Sequence, residues 1–273
     1  MTMKKILLLL TTILLLTSCQ DVVDIPLENA PAKLVIDANI KWYKGTDGAT
    51  QVIKLSLTND FYTSEILPAS GAIVSIKDDA NTLFNFIEDA NTGNYICTNF
   101  VPQINTNYTL TVVYKGETYT ATSKLLATPV IQDIQQETKP GISGEDEIQV
   151  KFFFQDDGQQ ENYYLLKVKN PEIVFPEYGV VSDEFFQGNL MFGFYNDDIK
   201  KGNLLQLSVQ GIDKAYFNYM SKLISASGGN SGNPFATPPA VLRGNIINVT
   251  NSQNFPFGYF ALGEVDARDY TVQ

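Results

Sequence analysis

Short runs of alternating apolar and polar residues recur along the chain, rich in Val, Ile, Thr and Tyr and separated by Gly, Asn, Asp and Pro. Alternation with a period of two sends successive side chains to opposite faces of a strand, so this pattern predicts antiparallel β-structure. The first unit should hold strands at 33–42, 51–58, 72–78, 82–87, 93–99, 107–114 and 117–123. Strands of this number and spacing suit an immunoglobulin-like or transthyretin-like β-sandwich. Tyr114-Lys115-Gly116-Glu117 reads as a tight hairpin whose Gly116 takes a positive φ, and Asn91-Thr92-Gly93-Asn94 marks a second turn.

Ala127-Thr128-Pro129 closes the first unit, which gives a sandwich domain over 33–127 and a second domain over 128–273. The polar stretch Gln132 to Glu147 is poor in core residues and reads as the passage between them. Further strands are expected at 147–155, 163–170, 172–180, 190–195, 203–210, 240–249 and 259–272. One segment departs from the pattern: Ile212, Tyr216, Tyr219, Leu223 and Ala226 fall three or four apart, which predicts an amphipathic helix over 212–226, stopped at Ser227-Gly228-Gly229. Its aromatic stripe is expected to face the core, a ligand-facing role for Tyr216 or Tyr219 being the alternative. The predicted fold is therefore mainly β, an N-terminal sandwich followed by a second antiparallel β domain carrying one helix.

The amino terminus follows another logic. Lys4 and Lys5 precede an apolar run, Ile6 to Leu16, broken only by Thr11 and Thr12, which is the layout of a secretory signal. As a helix the run would reach about 16 Å, roughly half of the ~30 Å hydrocarbon core, so a retained span is not expected. Leu16-Thr17-Ser18-Cys19 resembles a bacterial lipobox, which predicts a lipoprotein signal peptide over 1–18, lipidation of Cys19 and an acidic tether over 19–32. Each buried methylene contributes about 0.8 kcal/mol, so several acyl chains on Cys19 would hold the protein durably on a membrane. Asp21, Asp24 and Glu28 give the tether the acidic character of surface-export signals, although a merely solvated tether reads the same way.

Composition narrows the chemistry. The chain has no histidine, which excludes Ser-His-Asp and Cys-His nucleophile systems and removes the usual zinc and haem ligand. The net charge is −11, and removal of Lys4 and Lys5 with the signal takes it two units lower, so nucleic acid is not an expected partner. With Cys19 acylated only Cys97 is left, no internal disulfide can form, and Cys97 reads as a small buried hydrophobe. The oxygen-rich loop Asp156 to Asn162 reads as a turn joining two strands before it reads as a Ca²⁺ loop, and Asp78-Asp79 and Asn196-Asp197-Asp198 read as turns too. No metal, cofactor or catalytic residue is expected. Glu184 and Glu264 lie near aromatic residues, but a glycosidase-like carboxylate pair has no mark in the sequence that sets it apart from the other acids.

Ser227 to Pro239 combines a Gly/Ser-rich half with a proline-stiffened half. It is a candidate contact loop with Asn233, Pro234 and Phe235 at its centre. The alternative is a connector whose Phe235 tucks into the core. Phe185-Phe186 and Phe255-Pro256-Phe257 raise the same question of exposure.

Taken in order, the lipobox, the leader Asp21-Val22-Val23-Asp24-Ile25-Pro26-Leu27, the strand Lys33 to Ile40, Pro68-Ala69-Ser70-Gly71, Asn162-Tyr163-Tyr164, Asn233-Pro234-Phe235, Arg243-Gly244-Asn245-Ile246 and Gly258-Tyr259-Phe260 resemble the Bacteroidota outer-membrane lipoproteins with domain of unknown function 4249. In place of the relatives' Val-Glu-Gly and a bulky residue, the first strand here carries Ile36-Asp37-Ala38-Asn39. The resemblance implies an outer-membrane lipoprotein, often encoded beside a TonB-dependent receptor, with no catalytic residues to carry over, and the acidic tether favours the cell surface over the periplasmic face. The expected role is a non-enzymatic accessory or substrate-binding component of such a transport system, with the membrane and the receptor barrel as partners. A structural or adhesive surface module is one alternative, and a hydrolase using paired carboxylates is another.

Overall fold

The computed structural model describes residues 31–60, 63, 65–140, 146–228 and 241–273. The signal segment and Cys19 lie outside these residues, as do Asn233, Pro234 and Phe235. In chain order the strands are β1 (Leu34–Tyr43), β2 (Gln51–Leu57), β3 (Leu67–Pro68), β4 (Ile73–Asp78), β5 (Leu83–Glu88), β6 (Asn94–Cys97), β7 (Asn107–Tyr114), β8 (Glu117–Leu126), β9 (Ile131–Pro140), β10 (Asp146–Gln155), β11 (Tyr163–Lys169), β12 (Glu177–Ser182), β13 (Leu190–Tyr195) and β14 (Leu204–Ile212). The helix α1 (Lys214–Gly228), β15 (Ile247–Asn248) and β16 (Phe257–Thr271) complete the chain. The fold is mainly β with one helix among the described residues.

A single sheet path runs β12-β11-β14-β16-β1-β2-β6-β5-β4-β7-β8-β15, and a separate three-stranded sheet has the order β13-β10-β9. Because β8 also pairs with β16 through Leu125 and Leu126, the stretch from β16 through β1 to β8 closes on itself around the first core. That core holds Ile36, Ala38 and Ile40 from the even positions of β1, with Tyr95, Tyr108, Leu110 and Phe260. Fully burying side chains of this size contributes about 2 kcal/mol each relative to exposure. The second core lies between the β11-β14 portion of the long sheet and the small sheet, where Tyr164, Leu166, Leu205 and Leu207 meet Val150, Phe152 and Phe154.

The strand β16 belongs to both. Its first half pairs parallel with β1, Ile36 opposite Gly258 and Ile40 opposite Leu262, and its second half pairs antiparallel with β14, Leu205 opposite Tyr270. Phe260 and Leu262 enter the first core, while Tyr270 and Val272 pack against the second. The chain after residue 128 therefore returns to build the first sandwich, and residues Ala32 to Gln273 form one unit. The parallel pairing across most of the chain's length has no local signature, which is why the sequence reads as two consecutive domains.

On the other face of the long sheet lies α1. Asp213 caps it, its Oδ1 accepting from the Tyr216 amide at 2.7 Å, and Tyr216 and Met220 pack on Leu165, Tyr259 and Ala261.

Four expectations need correction. The polar stretch after Gln132 is strand β9, paired with β10 along its length; it is a sheet edge with one wet face, so only Ile131 and Ile134 reach the core. The strand expected over 172–180 begins only at Glu177, because Pro171 and Pro176 bracket a turn that cannot donate to a ladder. Of the strand expected over 240–249, only Ile247 and Asn248 among the described residues form a ladder, with Thr120 and Tyr119. The loop after Asp156 is no hairpin: β10 and β11 lie in different sheets, and it crosses between them. The hairpin at Lys115-Gly116 is present, with φ of 49° and 81° at its two central residues.

Candidate functional site

Burial in β1 alternates strictly over its first half, so Val35, Asp37, Asn39 and Lys41 project away from the first core. They project toward α1, and the space between them is a cleft of about 630 Å³. Its other walls come from Leu165, Tyr178, Tyr259, and from Tyr216, Tyr219, Met220 and Leu223 of the helix. A volume of this size accommodates one small organic ligand.

Three of the tyrosines form a cluster. The Tyr216 and Tyr259 ring centroids are 4.7 Å apart, Tyr219 and Tyr259 4.8 Å, and Tyr216 and Tyr219 6.2 Å in a stacked arrangement. Behind them a polar network fixes the floor. The Asn39 side-chain amide donates to Gln210 Oε1 and to Tyr216 Oη, both at 3.2 Å, and accepts from Gln210 Nε2 at 2.8 Å. Gln210 is buried, so each of these contacts replaces water that it has lost.

Burial pushes the phenols of Tyr178, Tyr216, Tyr219 and Tyr259 upward, and the Asp37 carboxylate adds to this at Tyr178, Tyr216 and Tyr219. All four are neutral at physiological pH and offer ring faces and hydroxyls. The Lys41 ammonium is pushed down, first by burial and next by the neighbouring Lys167 charge, with Asp37 acting in the opposite direction. The cleft thus carries an exposed carboxylate, an amide tied into a network and a half-buried cation on alternate residues of one strand, facing aromatic walls.

The aromatic stripe of the helix is core-facing at Tyr216, which is 6% exposed, yet Tyr216 and Tyr219 also line the cleft. Sequence reasoning did not single out Asp37, Asn39 or Lys41. The alternation in β1 marks them as one face of a strand, but nothing local tells that a helix from the distant end of the chain covers that face.

Other candidates are placed differently. Cys97 is buried and its Sγ donates to Asn99 Oδ1 at 3.1 Å; burial pushes its thiol up. Glu264 accepts from Lys44 Nζ at 2.6 Å and from the Thr128 amide at 3.1 Å, Glu184 is exposed beyond β12, and neither lines the cleft. Asp156, far from being a surface turn residue, is buried: its carboxylate accepts from Tyr164 Oη at 2.6 Å and from the Gly188 amide at 2.8 Å. Lys33 Nζ and the Arg243 guanidinium both stand over the Phe255 ring, 4.1 and 3.6 Å from its centre, whereas Phe185 and Phe186 are exposed. A wider hollow of about 1080 Å³ gathers Asp146, Glu147, Glu177, Asp197 and Asp198 without a lysine or arginine among the described residues of its walls. Among the described residues no group of three acidic or cysteine side chains converges on a point that could hold a metal ion, and no helix is long and apolar enough to cross a membrane.

No curated protein matches the chain in sequence. Among solved structures, a two-domain fibronectin type III segment from chicken tenascin is similar over 60% of this chain and 85% of its own, at 8% identity and a TM-score of 0.22. A family model matches residues 20–269, and the chain accordingly belongs to the family described as Domain of unknown function (DUF4249).

Proposed function

We propose that this protein is a non-enzymatic binding component of a TonB-dependent transport system, held by acyl chains on Cys19 at the surface of a Bacteroidota outer membrane, and that it captures its ligand in the cleft between β1 and α1. The observation that carries the reading is the cleft itself: about 630 Å³, walled by Tyr178, Tyr216, Tyr219 and Tyr259 and floored by Asp37, Asn39 and Lys41. Its polar groups are few and face an apolar body, which is the usual composition of a site that binds and orients without cutting bonds. The lipobox ending at Cys19 supports the anchor, and the family resemblance supports the receptor partner.

Affinity purification of the detergent-solubilised protein from membranes tests the reading, combined with mass spectrometry of its mature amino terminus. The expected result is an acylated Cys19 and a receptor barrel recovered with it in stoichiometric amount. An unmodified terminus, or repeated recovery of the protein alone, would overturn it.

A further inference from the structure

The cleft has few polar groups, and one of them is already committed. Both polar groups of the Asn39 side chain are taken by Gln210 and Tyr216. The charged groups of the cleft are Asp37 and Lys41, four residues apart on one strand and so about 13 Å from one another along it. Among the described residues no carboxylate lies within ion-pairing distance of Lys41 or of Lys167. Lys41, Leu165 and Tyr178 also line a separate small recess with Lys167, Ser208 and Gln210 in its walls. Lys41 thus stands in the cleft with the Lys167 charge near it and, among the described residues, no carboxylate paired with it, an arrangement costly to the unliganded protein and favourable to an anionic guest.

The remainder of the wall says what else the guest carries. Val35, Leu165, Met220 and Leu223 supply apolar surface, and the packed rings of Tyr219 and Tyr259 line the cleft as an aromatic wall on which a guest ring can rest by offset or edge contact. A saccharide with hydroxyls on every carbon would meet Asp37 and the phenols of Tyr178, Tyr219 and Tyr259, and its remaining hydroxyls would be buried against Val35, Leu165, Met220 and Leu223. We propose that the ligand of the cleft is an aromatic carboxylate, its ring against Tyr219 and Tyr259 and its carboxylate paired with Lys41. The inference rests on the cleft being the binding site described under Proposed function.

Isothermal titration of the full chain in detergent with 4-hydroxybenzoate and 4-hydroxycinnamate, their methyl esters, a galacturonate tetrasaccharide and laurate tests this. The free acids should bind, and each methyl ester about tenfold or more weaker, since the ester removes the charge that pairs with Lys41. Lys41→Met should bind acid and ester alike, at the ester's affinity, and Lys41→Arg should restore the preference for the acid. Equal binding of acid and ester by the unaltered protein, binding of the uronate or laurate in place of the aromatic acids, or no binding of any aromatic acid would overturn the inference. Those results leave the receptor partner and the anchor untouched, because co-purification and terminal mass spectrometry report on them separately.

Discussion

Asn245 holds the main chain of Phe260 at both of its polar groups: its Oδ1 accepts from the Phe260 amide at 2.9 Å, and its Nδ2 donates to the Phe260 carbonyl at 2.8 Å. At this point β16 has β1 on one side, while β8 and β14 join the other side only from Leu262 and Val265 onward. One side chain thus does the work of a missing strand. Close packing requires glycine on both segments, at Gly244 against β16 and at Gly258 against β1. A Cβ on Gly244 would stand 1.7 Å from the Gly258 carbonyl oxygen, and one on Gly258, whose φ is 96°, would stand 2.0 Å from the Ile36 oxygen. The sequence phrases Arg243-Gly244-Asn245 and Gly258-Tyr259-Phe260 are two halves of this single contact.

Asn245→Asp replaces the donor with a carboxylate oxygen facing the Phe260 carbonyl, and should cost about 3 kcal/mol of stability. Asn245→Ala should cost about 2 kcal/mol, the penalty for a backbone amide and carbonyl left without partners. Urea denaturation of the two variants beside the unaltered protein gives both numbers, and the order Asp worse than Ala is the discriminating result.

Asp156 ties the β10–β11 crossing to the loop before β13, where Gly158 and Gly188 pass so closely that a Cβ on Gly158 would lie 2.8 Å from Gly188 Cα. Asp156→Ala strands the buried Tyr164 hydroxyl and the Gly188 amide and should destabilise by about 3 kcal/mol. Tyr164→Phe in the same background should then cost little further, because the hydroxyl it removes has already lost its acceptor. A double-mutant cycle measured by thermal unfolding checks this coupling.

Glu117 gathers the segment after β15: Tyr119 Oη donates to it at 2.6 Å, and the side-chain amides of Asn248 and Asn251 at 3.1 and 3.2 Å, with Asn254 closer still. These donors, Tyr119 foremost, hold its carboxyl below the ordinary glutamate value of 4.5. The folded protein therefore releases this proton more readily than the unfolded chain, so the stabilisation is complete above pH 4.5 and is lost as pH falls through the lower folded value. The stability difference between the unaltered protein and Glu117→Gln should shrink over that acidic interval. Hydrogen exchange of residues 247–254 should show faster opening in Glu117→Gln at neutral pH than in the unaltered protein.

Lys41 carries the cost of a cation half-buried beside another. Its folded value is lowered below 10.5, so the unfolded chain binds the proton more tightly, and the destabilisation is full below the folded value and vanishes above 10.5. Lys41→Met should raise stability by about 1 kcal/mol at neutral pH. The gain should diminish as the pH approaches 10.5, and thermal melts across that range measure it.

Much of the strand content is legible in local alternation. The odd and even positions of β1, the paired Lys115-Gly116 hairpin and the three-to-four spacing from Tyr216 to Leu223 each report a face set by residues within one turn or one strand. The polar strand β9 escaped because an edge strand with a wet face has no apolar alternation to show. The cleft escaped for another reason: Lys41 and Tyr216 are distant in the chain, and each looks like an ordinary member of its own element.

By itself the sequence determined the mainly β character, the helix and its approximate position, the Lys115-Gly116 hairpin turn and the membership of Asp37, Asn39 and Lys41 in one strand face. Only the tertiary structure decided that β16 lies parallel to β1 and continues into the second core, that the small sheet closes that core, and that α1 covers the outer face of β1. Periodicity arises from the geometry of neighbouring residues, whereas these pairings depend on which buried faces fit one another across the whole fold.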